Sequence, residues 1–204
     1  LPQDVLAVLG PGAAAKLKHV VVESDFASTD GTDGLAGISS SWASYDHVFN
    51  CIGTTRGAAG SADAFVHVEA AHSEAVARTA AAAGIRSMSV VSAQGANSNT
   101  WVPHDMIHPL LYMRTLGQKE DAAKSTLGQG VATRLTLFRP GMLNRLVSDR
   151  WHEQAILRLI GGLRVDDLAT AMVRDAETDA AGAGSAEDAK VYSGNPTIER
   201  LSRL

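Results

Sequence analysis

The chain has 204 residues, 45% hydrophobic and 20% charged, and a formal net charge of -4. That length fits one domain able to bury a substantial core, and the composition is that of an ordinary globular protein. The acidic balance and scattered basic residues argue against nucleic acid or an anionic membrane as partner, and no apolar run approaches the roughly 20 residues of a membrane helix.

In chain order, Leu1 to Gly10 reads as a short helix broken by Gly10, Pro11 and Gly12. The run His19 to Glu23 (HVVVE) reads as a strand with Ser24, Asp25 and Phe26 at its exit. Asp25 suits two roles there, bonding its own backbone in a turn or accepting a hydrogen bond from a ligand. Ser28 to Gly37 is a polar loop, and Leu35 to Ser44 is a candidate helix.

The stretch Asp46 to Gly60 (DHVFNCIGTTRGAAG) organises the rest. His47 to Ile52 is apolar and rich in aromatic and β-branched residues, as in a buried parallel strand. Cys51, the single cysteine, excludes an internal disulfide, fits a reducing compartment and reads as a buried thiol. Gly53 to Gly60 then forms a hydroxyl-rich loop of the kind that lets phosphate or ribose approach backbone N–H groups. A bare strand-turn-helix crossover explains the same glycines.

Ser61 caps a helix over Ala62 to Ala83, with Phe65, Val68, His72 and Val76 on one face and Gly84 in the C′ position. Ile85 to Ser92 is the next strand, so strand, helix and strand together imply a parallel crossover. The polar loop Ala93 to Thr100 leads to a helix over Leu110 to Leu127 with Pro109 in its first turn. Val131 to Phe138 is a strand stopped by Arg139, Pro140 and Gly141. Helices follow at Arg150 to Ile160 and at Val165 to Asp175. The acidic segment 178–190 reads as a mobile loop, followed by a short strand at Val191 to Ser193 and a helix at Pro196 to Leu201. His104 and His108 have helical spacing, but no further ligand pattern accompanies them and no metal is expected. A Gly-x-Ser-x-Gly hydrolase elbow is absent.

The ordered motifs HVFNCIGTTRGAAGSADAFVHVE, MSVVSAQGAN, HPLLYMRTLGQKE and LFRPGMLNR resemble the atypical short-chain dehydrogenase/reductases, in particular the Tat-interacting-protein family of oxidoreductase-like proteins. The resemblance runs from about His19 to Leu201, and CIGTTRGAAG combined with FRPG is its most specific part. It implies one α/β Rossmann-like domain over 1–204, a doubly wound and mostly parallel sheet binding NADP or NAD.

By resemblance, Asp25 and Phe26 lie beside the adenosine. Cys51, Ile52, Gly53, Thr54, Thr55 and Arg56 follow the pyrophosphate and ribose, and Ser92, Tyr112, Pro140 and Gly141 surround the nicotinamide. Ser92 and Tyr112 are then the candidate catalytic pair for a small carbonyl substrate, and a protein partner is the alternative. The compartment is cytoplasmic or mitochondrial, and no leader is visible.

Two departures from the family pattern stand out. Its opening strand and Gly-x-x-Gly-x-x-Gly turn do not precede Leu1, so the sheet is expected to be incomplete at the N-terminus. The family also places a lysine four residues after the tyrosine, where its ammonium favours phenolate. Here Leu116 stands at that offset. Lys119 is about 10 Å from Tyr112 along a helix, at 1.5 Å per residue.

Overall fold

A computed structural model of the protein describes residues 18, 20–22, 35, 40–102, 108–128, 133–144, 162–178 and 188–204. Its elements are β1 (His47–Asn50), α1 (Arg56–Ala59), α2 (Ala62–Val66), a π-helical turn (His67–Ala71), α3 (His72–Ala82), β2 (Ser87–Val91) and α4 (His108–Gly128). After these come β3 (Arg134–Arg139), β4 (Leu143–Asn144), β5 (Leu163–Arg164), α5 (Val165–Thr178), β6 (Lys190–Ser193) and α6 (Asn195–Ser202). The helices predicted at Leu1 to Gly10 and Arg150 to Ile160, the turn at Asp25 and Phe26, and most of the 178–190 loop lie outside the described residues. Of the predicted strand His19 to Glu23, residues 20–22 are described and carry no strand pairing; Val22 packs against the core.

β1, β2, β3 and β6 form one sheet in that order, and every pairing is parallel. Alternation along the strands sorts the side chains into two faces. Met88, Val90, Leu135 and Leu137 pack with Ala75, Val76, Ala77 and Ala80 of α3 and Ala123 and Leu127 of α4. On the other face, Phe138 packs with Leu168, Ala171 and Met172 of α5 and Ile198 of α6. Helices on both faces of a parallel sheet make the fold doubly wound, as the family resemblance implies.

Local chemistry sets the boundaries. Ser61 Oγ accepts from the Ala64 N–H at 3.0 Å, capping α2, and Gly84 adopts φ 70° just past α3. Pro109 lies in the first turn of α4, where its missing N–H costs nothing. The predicted single helix Ala62 to Ala83 is instead divided by the π turn. β1 ends at Asn50 because the Asn50 carboxamide oxygen accepts from the Ile52 N–H at 3.1 Å, turning the chain out of the strand. Cys51 therefore sits in the exit loop and is exposed, which corrects the buried-strand reading.

His47 opens β1 with Nδ1 2.5 Å from Ser87 Oγ and Nε2 3.0 Å from Ser89 Oγ. Burial, aided by the Arg134 charge and opposed by Asp175, lowers its pKa from 6.5 to about 4. The unfolded chain thus binds more protons between those values, so stability is full above pH 6.5 and falls as pH drops toward 4. Partial solvent screening holds the loss to about 1–2 kcal/mol. His47→Gln is expected to flatten the thermal midpoint across this range, and an unchanged slope would refute the assignment.

Candidate functional site

Because the four strands are parallel, their carboxyl ends lie along one edge of the sheet. From β1 the chain runs through Cys51, Ile52, Gly53 and Thr54 to Thr55, whose hydroxyl caps α1 by accepting from the Ala58 N–H at 3.2 Å. The predicted loop Gly53 to Gly60 thus contains a short helix opened by Arg56.

Two buried charges fasten this exit. Glu69 Oε1 accepts from the Thr54 N–H at 2.7 Å, and Lys119 Nζ donates to the Ile52 carbonyl at 2.6 Å. The two side chains also pair with each other at 3.2 Å while 1% (Lys119) and 4% (Glu69) exposed. Burial lowers the Lys119 pKa, and the Glu69 carboxylate opposes that shift. Cys51 is exposed as a residue, but partial desolvation of its thiol pushes the pKa up, against the neighbouring Lys119 charge. A β-carbon on Gly53 would meet Glu69 Oε1 at 3.2 Å, so the close approach depends on the glycine.

Ser92 follows β2, with its N–H donating to the Phe138 carbonyl at 2.8 Å; the Gln94 N–H donates to the Pro140 carbonyl at 2.8 Å. The Gly141 N–H donates to Asn195 Oδ1 at 2.8 Å, bringing in the first residue of α6. A β-carbon on Gly141 would stand 3.2 Å from Gln94 Oε1 and 3.3 Å from Asn195 Oδ1. β3 ends at Arg139, immediately before Pro140, as a residue without an N–H requires. Arg139 forks onto the Glu120 carboxylate of α4 through Nε, at 2.8 Å, and a terminal nitrogen. The hydrogen bonds it donates to Glu120 raise the guanidinium pKa further. Tyr112 of α4 stacks on Phe65 of α2 with ring centroids 6.0 Å apart. Leu116, one turn along, is 2% exposed.

This edge can be compared with known proteins. No protein-family model matches the chain. Over 99 residues, 48% of the chain, it is 33% identical to the mitochondrial protein FMP52-1 of Scheffersomyces stipitis, spanning 38% of that protein's length. A dTDP-glucose 4,6-dehydratase double mutant of Streptomyces venezuelae, solved with NAD, superposes with a TM-score of 0.62 at 14% identity, over 98% of this chain and 65% of that one. The RMD protein of Pseudomonas aeruginosa, complexed with NADPH, gives 0.57 at 14% identity, over 98% of this chain and 76% of that one. A dTDP-4-dehydrorhamnose reductase of Bacillus anthracis, in complex with NADP, gives 0.56 at 11% identity, over 87% and 67%. The fold is a Rossmann fold. At these identities the likenesses show the fold alone, and none of them singles out the Tat-interacting-protein family.

Of the residues picked from sequence, the Rossmann sheet joins Ser92, Pro140 and Gly141 through Gln94, and holds Ile52, Gly53 and Thr54 through Glu69 and Lys119. Tyr112 reaches the β1 side through Phe65. Ser92 and Tyr112 are not hydrogen-bonded to each other: Ser92 Oγ is buried and has no hydrogen-bond partner among the described residues. An orphaned hydroxyl at a strand exit fits a ligand that supplies the missing hydrogen bond.

Sequence reasoning missed Glu69 as a loop anchor and the Glu120–Arg139 fork. Glu69 stands one helical turn after Phe65 on the buried face, and Lys119 falls on the α4 stripe of Leu111, Thr115 and Ala123. A charge inside such a stripe is the signal that could have marked Glu69 and Lys119 as buried charges, though not their pairing.

Proposed function

We propose that the chain is an NAD(P)(H)-binding protein of the atypical short-chain dehydrogenase/reductase type, akin to the Tat-interacting-protein family, with NADP preferred. The observation that carries this reading is the convergence of the Gly53 loop, orphaned Ser92 and Pro140–Gly141 at the carboxyl edge of a parallel sheet, where open α/β sheets bind ligands. The Rossmann neighbours solved with NAD, NADP or NADPH support it. Residues 1–204 form one dinucleotide-binding domain on this reading, and the relative FMP52-1 favours a mitochondrial over a cytoplasmic compartment.

The backbone from Cys51 to Arg56 binds the pyrophosphate and ribose, and Asp25 and Phe26 are assigned to the adenosine. A bound dinucleotide supplies hydride. Ser92 Oγ orients a substrate carbonyl with the hydrogen-bonding capacity it does not use internally, and Tyr112 delivers the proton from its phenol.

A second reading, a dinucleotide-binding module without turnover, is favoured by α4. Leu116 fills the position expected of the lysine beside Tyr112, while the Lys119 ammonium is held by Glu69 and the Ile52 carbonyl. The test is titration of the protein with NADPH and NADH by nucleotide fluorescence, followed by turnover on a panel of aldehydes and ketones beside Tyr112→Phe. Absence of binding to either dinucleotide sinks both readings. Binding with turnover lost in Tyr112→Phe supports the reductase, and binding without turnover supports the module.

A further inference from the structure

Lys119 and Glu69 are almost wholly removed from water. Stability alone is a poor reason for such a pair, since desolvation offsets most of its attraction and apolar residues of similar size often serve as well. What distinguishes this pair is where its remaining hydrogen bonds go. Lys119 Nζ donates to the Ile52 carbonyl and Glu69 Oε1 accepts from the Thr54 N–H, so the two charges grip the backbone on either side of Gly53. Glu69 lies in the π-helical turn His67–Ala71, and such turns change the direction in which a side chain leaves the helix. Lys119 stands on α4, the helix that also carries Tyr112.

We infer that Lys119, acting with Glu69, is a positioning residue that fixes the Ile52–Thr54 loop in the shape that accepts a dinucleotide. This rests on the dinucleotide-binding reading above. With Ile52 O and Thr54 N–H held from the protein side, the conformation of Gly53 is set before any ligand arrives, so less ordering is needed on binding.

Lys119→Met alone strands a buried carboxylate, so the informative variant is Lys119→Met with Glu69→Gln in the full-length protein. It removes both charges, and the glutamine oxygen still accepts from the Thr54 N–H. Three quantities are measured: the dissociation constant for NADPH, the thermal midpoint without ligand, and the rate of maleimide labelling at exposed Cys51, read by peptide mass mapping.

The expected result is a midpoint within a few degrees of wild type, NADPH binding weakened at least about tenfold, and Cys51 labelled at least about threefold faster as the loop loses its preorganised shape. Binding within twofold of wild type overturns the role, as does weaker binding with unchanged labelling, or weaker binding that merely follows a collapse of the midpoint. Failure of the wild-type protein itself to bind NADPH or NADH overturns the functional reading and this role with it. Normal wild-type binding with an unaffected variant overturns the role alone.

Discussion

Asp175→Ala is expected to destabilise the protein by about 3–5 kcal/mol, the usual cost of removing one partner from a buried charge pair. Asp175 reaches from α5 to the polar stripe on the underside of the sheet, and its side chain is 0% exposed. One carboxylate oxygen accepts from Arg134 at 3.3 Å and Thr136 at 2.8 Å, and the other from Lys190 at 2.8 Å and Tyr192 at 3.0 Å. Alanine would leave the buried Arg134 guanidinium without this counter-charge and two hydroxyls without their acceptor. At about 2–4 °C per kcal/mol for a chain of this size, the thermal midpoint falls by roughly 10 °C. Burial pushes the Asp175 pKa up, but hydrogen bonds from Lys190, Thr136 and Tyr192 outweigh it and leave the carboxyl below its ordinary value. Its contribution is therefore complete above the ordinary carboxylate pKa and is lost as pH falls through the lowered one. Asp175→Asn, which keeps the shape and one acceptor, should fall between wild type and alanine. A midpoint for the alanine variant within 2 °C or so of wild type would show that the hub carries little.

Gly117→Ala is expected to cost at least about 3 kcal/mol, at the upper end for a single added methyl group. Its β-carbon would lie 2.0 Å from the Ser98 backbone nitrogen and 2.4 Å from the Asn97 carbonyl carbon, and neither is the end of a flexible side chain. The loop over 97–98 rests on α4 and is tied to it by the Asn97 N–H, which donates to the Met113 carbonyl at 3.0 Å. It also continues from Ser92, so displacing it should loosen the strand exit that carries the orphaned hydroxyl. Denaturant unfolding measures the stability, and NADPH titration measures the site. An alanine variant as stable as wild type would mean that α4 and this loop do not meet closely in solution.

Much of the architecture could be read from local chemistry. Ser61 before an apolar helical stripe, Gly84 after it, Pro109 in a first helical turn and Pro140 after an apolar run each act within a few residues, and each boundary lies where that chemistry places it. The succession of strand, helix and strand likewise led to parallel pairing, because a parallel pair needs a crossover, and the family resemblance supplied the doubly wound sheet.

The tertiary structure decided what becomes of charges inside apolar stripes. Neither the Glu69–Lys119 pair nor the Arg139–Glu120 fork follows from spacing, since the first joins residues 50 apart and the second residues 19 apart. Cys51 looked buried because its neighbours are apolar, yet one hydrogen bond from the Ile52 N–H to the Asn50 side chain ends the strand just before it and leaves it exposed. The sequence by itself determined the order of elements and the absence of a lysine one turn after Tyr112, because turns, caps and helical offsets act locally. Only the packing of α4 against the π turn and the β1 exit decided what Lys119 does instead, because a buried ammonium takes whichever acceptors the assembled fold brings within reach.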